Sequence, residues 1–100
     1  MVGLCQAACG ADDCERLCTR SSNRLGDCLA QWPAQWDDLD AESRAAFEAS
    51  CRQGWADQRT ELEPRELEDA LAQCEEALDH LAEIRQDGTV CDELRALYLD

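Results

Sequence analysis

Apolar residues recur along this chain at helical spacing and almost never at alternate positions. Leu67, Leu71, Cys74, Leu78 and Leu81 follow one another at intervals of four and three, which makes one seam on a helix. Its start is marked by Glu63 as the cap, Pro64 at the first helical position and Glu66 at the third. Leu62 and Leu67 are placed to form a hydrophobic staple across that start. Gly88 ends this helix, and Thr89 with Asp92 opens a last short one carrying Cys91, Leu94 and Leu97 or Tyr98. Upstream, Asp40 as N-cap predicts a helix through Phe47, Cys51 and Trp55, which are spaced four apart. Leu25, Cys28, Leu29 and Trp32 follow the i, i+3, i+4, i+7 pattern until Pro33 stops them. The first 20 residues divide at Gly10 into a piece with Leu4, Cys5, Ala8 and Cys9 and a piece with Cys14, Leu17 and Cys18. Residues 33–39 and 57–61 are the expected loops. Strand formers are rare and no period-2 run occurs, so the expected fold is all-α: a small disulfide-stapled bundle of four to six helices, several short.

With 100 residues, 45% of them apolar and including 15 Ala and 13 Leu, the chain suits one folded domain over residues 1–100. No apolar run approaches the roughly 18 residues of a membrane span. The eight cysteines, Cys5, Cys9, Cys14, Cys18, Cys28, Cys51, Cys74 and Cys91, all fall on the apolar stripe of their segment. An even, dense set in a short chain points to a disulfide framework, of which about 105 pairings exist on paper. No C-x2-C occurs and His80 follows no cysteine at finger spacing, so neither a structural zinc site nor an iron–sulfur cluster is expected. Depth along the helices argues against Cys74–Cys91. Cys74 lies about a dozen residues, roughly 18 Å, before its helix end, whereas Cys91 begins the next helix. Cys51 and Cys74 sit at similar depths and are the favoured pair. Such a chemistry implies an oxidising compartment, extracellular or periplasmic, with or without a lipid anchor. The start Met1-Val2-Gly3-Leu4 carries no leader, so the expectation is a mature domain whose signal has been removed. All nine basic residues are Arg, and with abundant Ala and Asp this is the bias of a GC-rich bacterial coding sequence.

Candidate chemistry is thin. Two C-x3-C units, Cys5/Cys9 and Cys14/Cys18, each place two sulfurs one turn apart on a helix face. Folded against each other they resemble the twin-cysteine hairpins of the coiled-coil-helix family, whose pairing would imply Cys5–Cys18 and Cys9–Cys14. The same turns are similar to those of bacterial copper storage bundles, where core thiolates hold Cu(I). This gives a metal-binding alternative, although Met1 is the single methionine. There is no G-x-S-x-G, P-loop, dinucleotide fingerprint or C-x-x-C, so the chain is read as non-enzymatic, without a cofactor and without a metal site. His80 with Glu76 and Glu83 has metal-ligand spacing but suits a solvated acidic face. Asp37-Asp38-Leu39-Asp40 lacks the mid-loop glycine of a calcium loop and suits helix capping.

Charge changes the picture most. The net charge is −14, which excludes binding to a nucleic-acid backbone. It is also uneven: residues 1–36 hold four acids and three Arg, net −1, and residues 37–100 hold nineteen acids and six Arg, net −13. An acidic half can simply keep a bundle in solution, or it can steer a basic protein partner. Trp32 and Trp55 lie on helical stripes and are expected in the core. Trp36, in the loop after Pro33, has no periodic reason to be buried and is the candidate partner contact. In texture the chain resembles the small cysteine-rich helical proteins, secreted or lipid-anchored, of GC-rich bacterial genomes, a resemblance that implies no activity. The expected function is a disulfide-stabilised helical binding module whose acidic surface contacts a protein. A Cu(I)-binding bundle and an acidic inhibitor or immunity-type protein are the alternatives.

Overall fold

Ser22 explains the architecture. The computed structural model describes residues 11–99, and in it the stretch from Asp13 to Leu29 is one helix, α1, not two pieces. Cys14, Cys18, Ser22, Leu25 and Leu29 form a buried stripe at intervals of four, four, three and four, with Cys28 beside it. Polar Ser21-Ser22-Asn23 separates the piece with Cys14, Leu17 and Cys18 from the stripe that begins at Leu25. Ser22 nonetheless fits the core, because its hydroxyl donates back to the Cys18 carbonyl at 2.8 Å. The polar group satisfies itself within its own helix, so burying it costs little.

Three more helices and one 3-10 turn follow. The 3-10 helix Trp36–Leu39 leads into α2 (Arg44–Arg59), α3 (Pro64–Asp87) and α4 (Val90–Tyr98). The chain is therefore all-α over the described residues, a small bundle of four helices. The start of α3 matches the sequence reading, since Glu66 accepts from the Glu63 N–H at 2.9 Å and Pro64 sits in the first turn. Gly88 closes α3 at φ 79°, a left-handed conformation that glycine adopts without strain. Other boundaries differ. The cap of α2 is Ser43, whose Oγ accepts from the Ala46 N–H at 3.1 Å. Asp40 instead ends the 3-10 helix in a left-handed conformation, donating its N–H to the Asp37 carbonyl. Helix α1 stops at Leu29, before Pro33, yet Trp32 is still buried through the turn that follows. Helix α2 runs to Arg59, which shortens the expected loop at 57–61.

The long helix α1 is the axis on which α2, α3 and α4 all pack; α2 and α3 make no comparable contact with each other. The disulfides follow the same plan. Cys14 is bonded to Cys74, Cys18 to Cys51 and Cys28 to Cys91, with Cα separations of 5.0, 5.7 and 5.4 Å. Every one of them ties another helix to α1. Three expectations are corrected by this. Cys51 and Cys74 do not pair, because their helices face α1 instead of each other. The hairpin pairs Cys5–Cys18 and Cys9–Cys14 do not form either, because Cys18 and Cys14 are taken by Cys51 and Cys74. The expectation that Cys74 and Cys91 stay apart holds. Cys5 and Cys9, with the short piece expected around them, lie outside the described residues. The core itself gathers Leu25, Leu29, Trp32, Leu81, Ile84 and Leu94 around the Cys28–Cys91 bridge.

Candidate functional site

Two polar networks fasten α2 to α1 and use up much of the positive charge. At the N-terminus of α1, Asp12 caps the helix by accepting from the Glu15 N–H at 2.8 Å. The same carboxylate accepts from the Trp55 indole N–H at 2.9 Å and from Arg59 at 2.7 Å, while the Arg59 guanidinium lies 5.8 Å from the Trp55 ring centre. Two turns further along, Glu48 accepts from the Thr19 hydroxyl at 2.7 Å, from Arg44 at 2.6 Å and from Arg52 at 3.2 Å. These donors, Thr19 first, hold the Glu48 carboxyl at about 2 instead of 4.5. A carboxyl with a depressed pKa stabilises the fold above its unfolded value, and the contribution fades as pH falls from 4.5 toward 2. Glu48→Gln should therefore unfold at lower urea than the parent at pH 6. The cost is about 1 kcal/mol, since Arg44 and Arg52 are 42% and 38% exposed and water screens them. The two urea midpoints should converge near pH 2.

On the other side of α2 the surface is apolar. Because α2 and α3 rest on α1 without closing on each other, a groove is left between them with Leu17 in its floor. One hollow of about 280 Å³ lies over the Cys14–Cys74 and Cys18–Cys51 bridges and is walled by Phe47, Trp55, Gln58 and Tyr98. A second, of about 190 Å³, shares Leu17, Ser21 and Tyr98 with it and runs on past Ala77 and His80 to Leu94 and Leu97. A third shares Leu17, Trp55, Gln58 and Cys74 and reaches Ala70 and Gln73. No Arg lines any of the three hollows. Leu97 and Tyr98 at its edge are 77% and 42% exposed, the large apolar side chains most open to solvent among the described residues.

The candidate residues distribute unevenly around this groove. Trp36 is only partly exposed: its ring lies over Gly26 and 5.7 Å from Phe47, which in turn meets Tyr98 at 5.8 Å. The loop reading missed this because residues 36–39 form a 3-10 helix that turns Trp36 and Leu39 toward the core. Trp36 also lines a surface hollow together with Leu29, Ala34, Gln35, Asp37 and Glu42. Trp32 and Trp55 are buried, as their stripes predict. His80 bonds neither Glu76 nor Glu83; its Nε2 is 2.9 Å from Glu93 on α4. Glu93 raises the His80 pKa, so the ionic part of this link is present while the imidazole is charged and fades as pH rises through that raised value. In the Asp37–Asp40 turn, Asp38 accepts from the Gln35 N–H at 2.9 Å, which is a cap and not a ligand cage.

Among the described residues no group of three or more His, Cys, Asp or Glu is arranged to hold a metal ion. No helix among them is long and apolar enough to cross a membrane. No protein-family model matches the chain, and neither a curated protein nor a solved structure is significantly similar to it.

Proposed function

We propose that this protein is a non-enzymatic binding module of an oxidising compartment, extracellular or periplasmic, that meets a basic protein partner on the acidic surface of residues 37–100. The carrying observation is how the fold sorts its charges. Arg16, Arg24, Arg44, Arg52 and Arg59 are all drawn into ion pairs, four of these with acids of α1 or its cap and two, from Arg44 and Arg52, with Glu48 on α2. Along α3, by contrast, Glu68, Asp69, Glu75, Glu76, Asp79 and Glu83 are exposed and have no ion-pair partner among the described residues. That leaves a concentrated negative field on one long helix, the arrangement that speeds encounter with a positive surface. Trp36, close to Asp37 and Glu42, supplies an apolar edge at the start of the acidic region. An acidic inhibitor would use the same surface and is one form of this reading. The copper-binding alternative is less well supported, because six of the eight sulfurs are in S–S bonds and none of those six is a thiolate.

The test is kinetic, on a partner first retrieved with the oxidised protein. Association should slow by at least tenfold between about 0.05 and 0.5 M salt, as the Debye length contracts to a few ångströms. Trp36→Leu, which keeps an apolar group on Phe47, should mainly raise the dissociation rate. Salt-independent association with unchanged dissociation would reduce the acidic surface to a solubility device.

A further inference from the structure

The groove over α1 occupies the place of a missing helix. Helices in a bundle pack at about 8–10 Å between axes, with each apolar stripe covered by a neighbour. Here α1 presents Leu17 and Ser21 into a trough whose walls, Phe47, Trp55, Ala77 and Tyr98, belong to three other helices, and nothing among the described residues covers it. The trough is continuous through shared lining residues. It runs beside α1 from Ala70 and Gln73 at one end to Leu94 and Leu97 at the other. Its border on α3 is acidic, since Glu66, Asp69 and Glu76 lie on the same i±3, i±4 ridge as Gln73 and all three are exposed. Six of the nine arginines lie elsewhere, while Arg65 stands beside Glu66 at the start of α3. Arg20, Arg24 and Arg85 line a separate hollow between α1 and α3, and Arg44, Arg52 and Arg59 serve the polar networks.

We propose that this groove receives one helix of the partner, amphipathic and basic. Apolar side chains at i, i+3 or i+4, and i+7 would seat over Leu17 and between Phe47, Trp55 and Tyr98. Lys or Arg on the flank of that helix would face Glu66, Asp69 and Glu76. An apolar floor with an acidic border selects that pattern, because a purely cationic segment leaves the floor in water and a purely apolar one leaves the border unmatched. The inference rests on the acidic-surface reading above and adds where the partner's apolar residues go and in what conformation.

The test uses the full oxidised chain, 15N-labelled, and two synthetic peptides of about 14 residues with identical Leu and Lys content. One places Leu at helical spacing; in its isomer the order is scrambled so that no apolar face exists. The amphipathic peptide should bind at least tenfold more tightly, become helical on binding, and shift the amides of Leu17, Ser21, Ala77 and Leu97. Ala77→Phe fills the groove and should weaken that peptide at least tenfold without changing the weak, salt-sensitive binding of the isomer. Leu97→Gln, at an exposed position where folding is not at stake, should weaken it severalfold. Equal affinity for the two peptides, with shifts spread over the outer face of α3, would overturn the groove and leave the acidic-surface reading standing. Binding of neither peptide at low salt would overturn both. Nuclear Overhauser contacts from residues 2–9 to Leu17, Phe47 or Tyr98 in the free protein would make the chain's own N-terminus the occupant and overturn the proposal. Concentration-dependent shifts at the groove would do the same in favour of a second copy.

Discussion

Reduction should leave this protein without a cooperative thermal transition at neutral pH. The bridges close loops of 60, 33 and 63 residues of sequence separation, and each such loop removes roughly 3.5–4.5 kcal/mol of unfolded-chain entropy in the simplest treatment. The loops overlap, so the sum is smaller than three independent terms. It still rivals the ~5–10 kcal/mol that a domain of this size normally has in total. The apolar core cannot substitute for them, since it is a cluster of seven buried residues gathered at one end of α1. The other end is held by Cys14–Cys74, Cys18–Cys51 and the Asp12 and Glu48 networks. Ellipticity at 222 nm, followed on heating with and without a phosphine reductant, checks this. Coincident melting curves would show that helix packing suffices without the bridges. Intact mass on the same samples should rise by eight hydrogens on reduction. Six of those hydrogens belong to the three bridges described above, and the remaining two test the expectation that all eight cysteines are paired.

The second large effect is expected at Leu25. It is fully buried toward the C-terminal end of α1 and belongs to the cluster with Trp32, Leu81, Ile84 and Leu94. Leu25→Ala should cost about 3–4 kcal/mol, the sum of lost transfer energy and an unfilled cavity. In a 100-residue domain that lowers the melting temperature by roughly 15 °C or more. Ser22→Ala, one turn earlier and equally buried, is the informative contrast. Its hydroxyl bonds only within α1 apart from a long 3.4 Å contact from Arg44, so removing donor and acceptor together should change stability by less than about 1 kcal/mol. Urea midpoints of the two variants separate these cases. A Ser22→Ala loss as large as that of Leu25→Ala would mean that the hydroxyl organises the helix junction and is not merely tolerated there.

The mis-set boundaries share one cause. Capping signals are local chemistry, and where a cap competes with no tertiary demand it is read correctly: Glu63-Pro64 and Gly88 bound α3 as their residue types require. At Asp40 two acceptable caps, Asp40 and Ser43, stand three residues apart. The choice between them falls to the packing of Trp36 and Leu39, which pulls residues 36–39 into a 3-10 turn. Trp36 was legible as an aromatic outside any helical stripe. Its partial burial depends on Gly26 and Phe47, which are ten and eleven residues away and have no periodic relation to it.

What the sequence by itself determined is the class of the fold, its helical seams, the disulfide chemistry and the asymmetry of charge. Each of these depends on residue type and on spacings within one turn or two, where backbone geometry alone places side chains on a face. What only the tertiary structure decided is which faces meet. Neighbouring helices α2 and α3 could have packed on each other, and a pairing of Cys51 with Cys74 follows from that assumption. Instead the chain has a continuous α1, made possible by a serine that bonds to its own helix, and α1 is the element with a buried face long enough to receive the others. The three bridges, the pairing of Arg52 with Glu15 and of Arg59 with Asp12, and the open groove between α2 and α3 all follow from that one central helix. They are relations between residues tens of positions apart, and no local pattern encodes them.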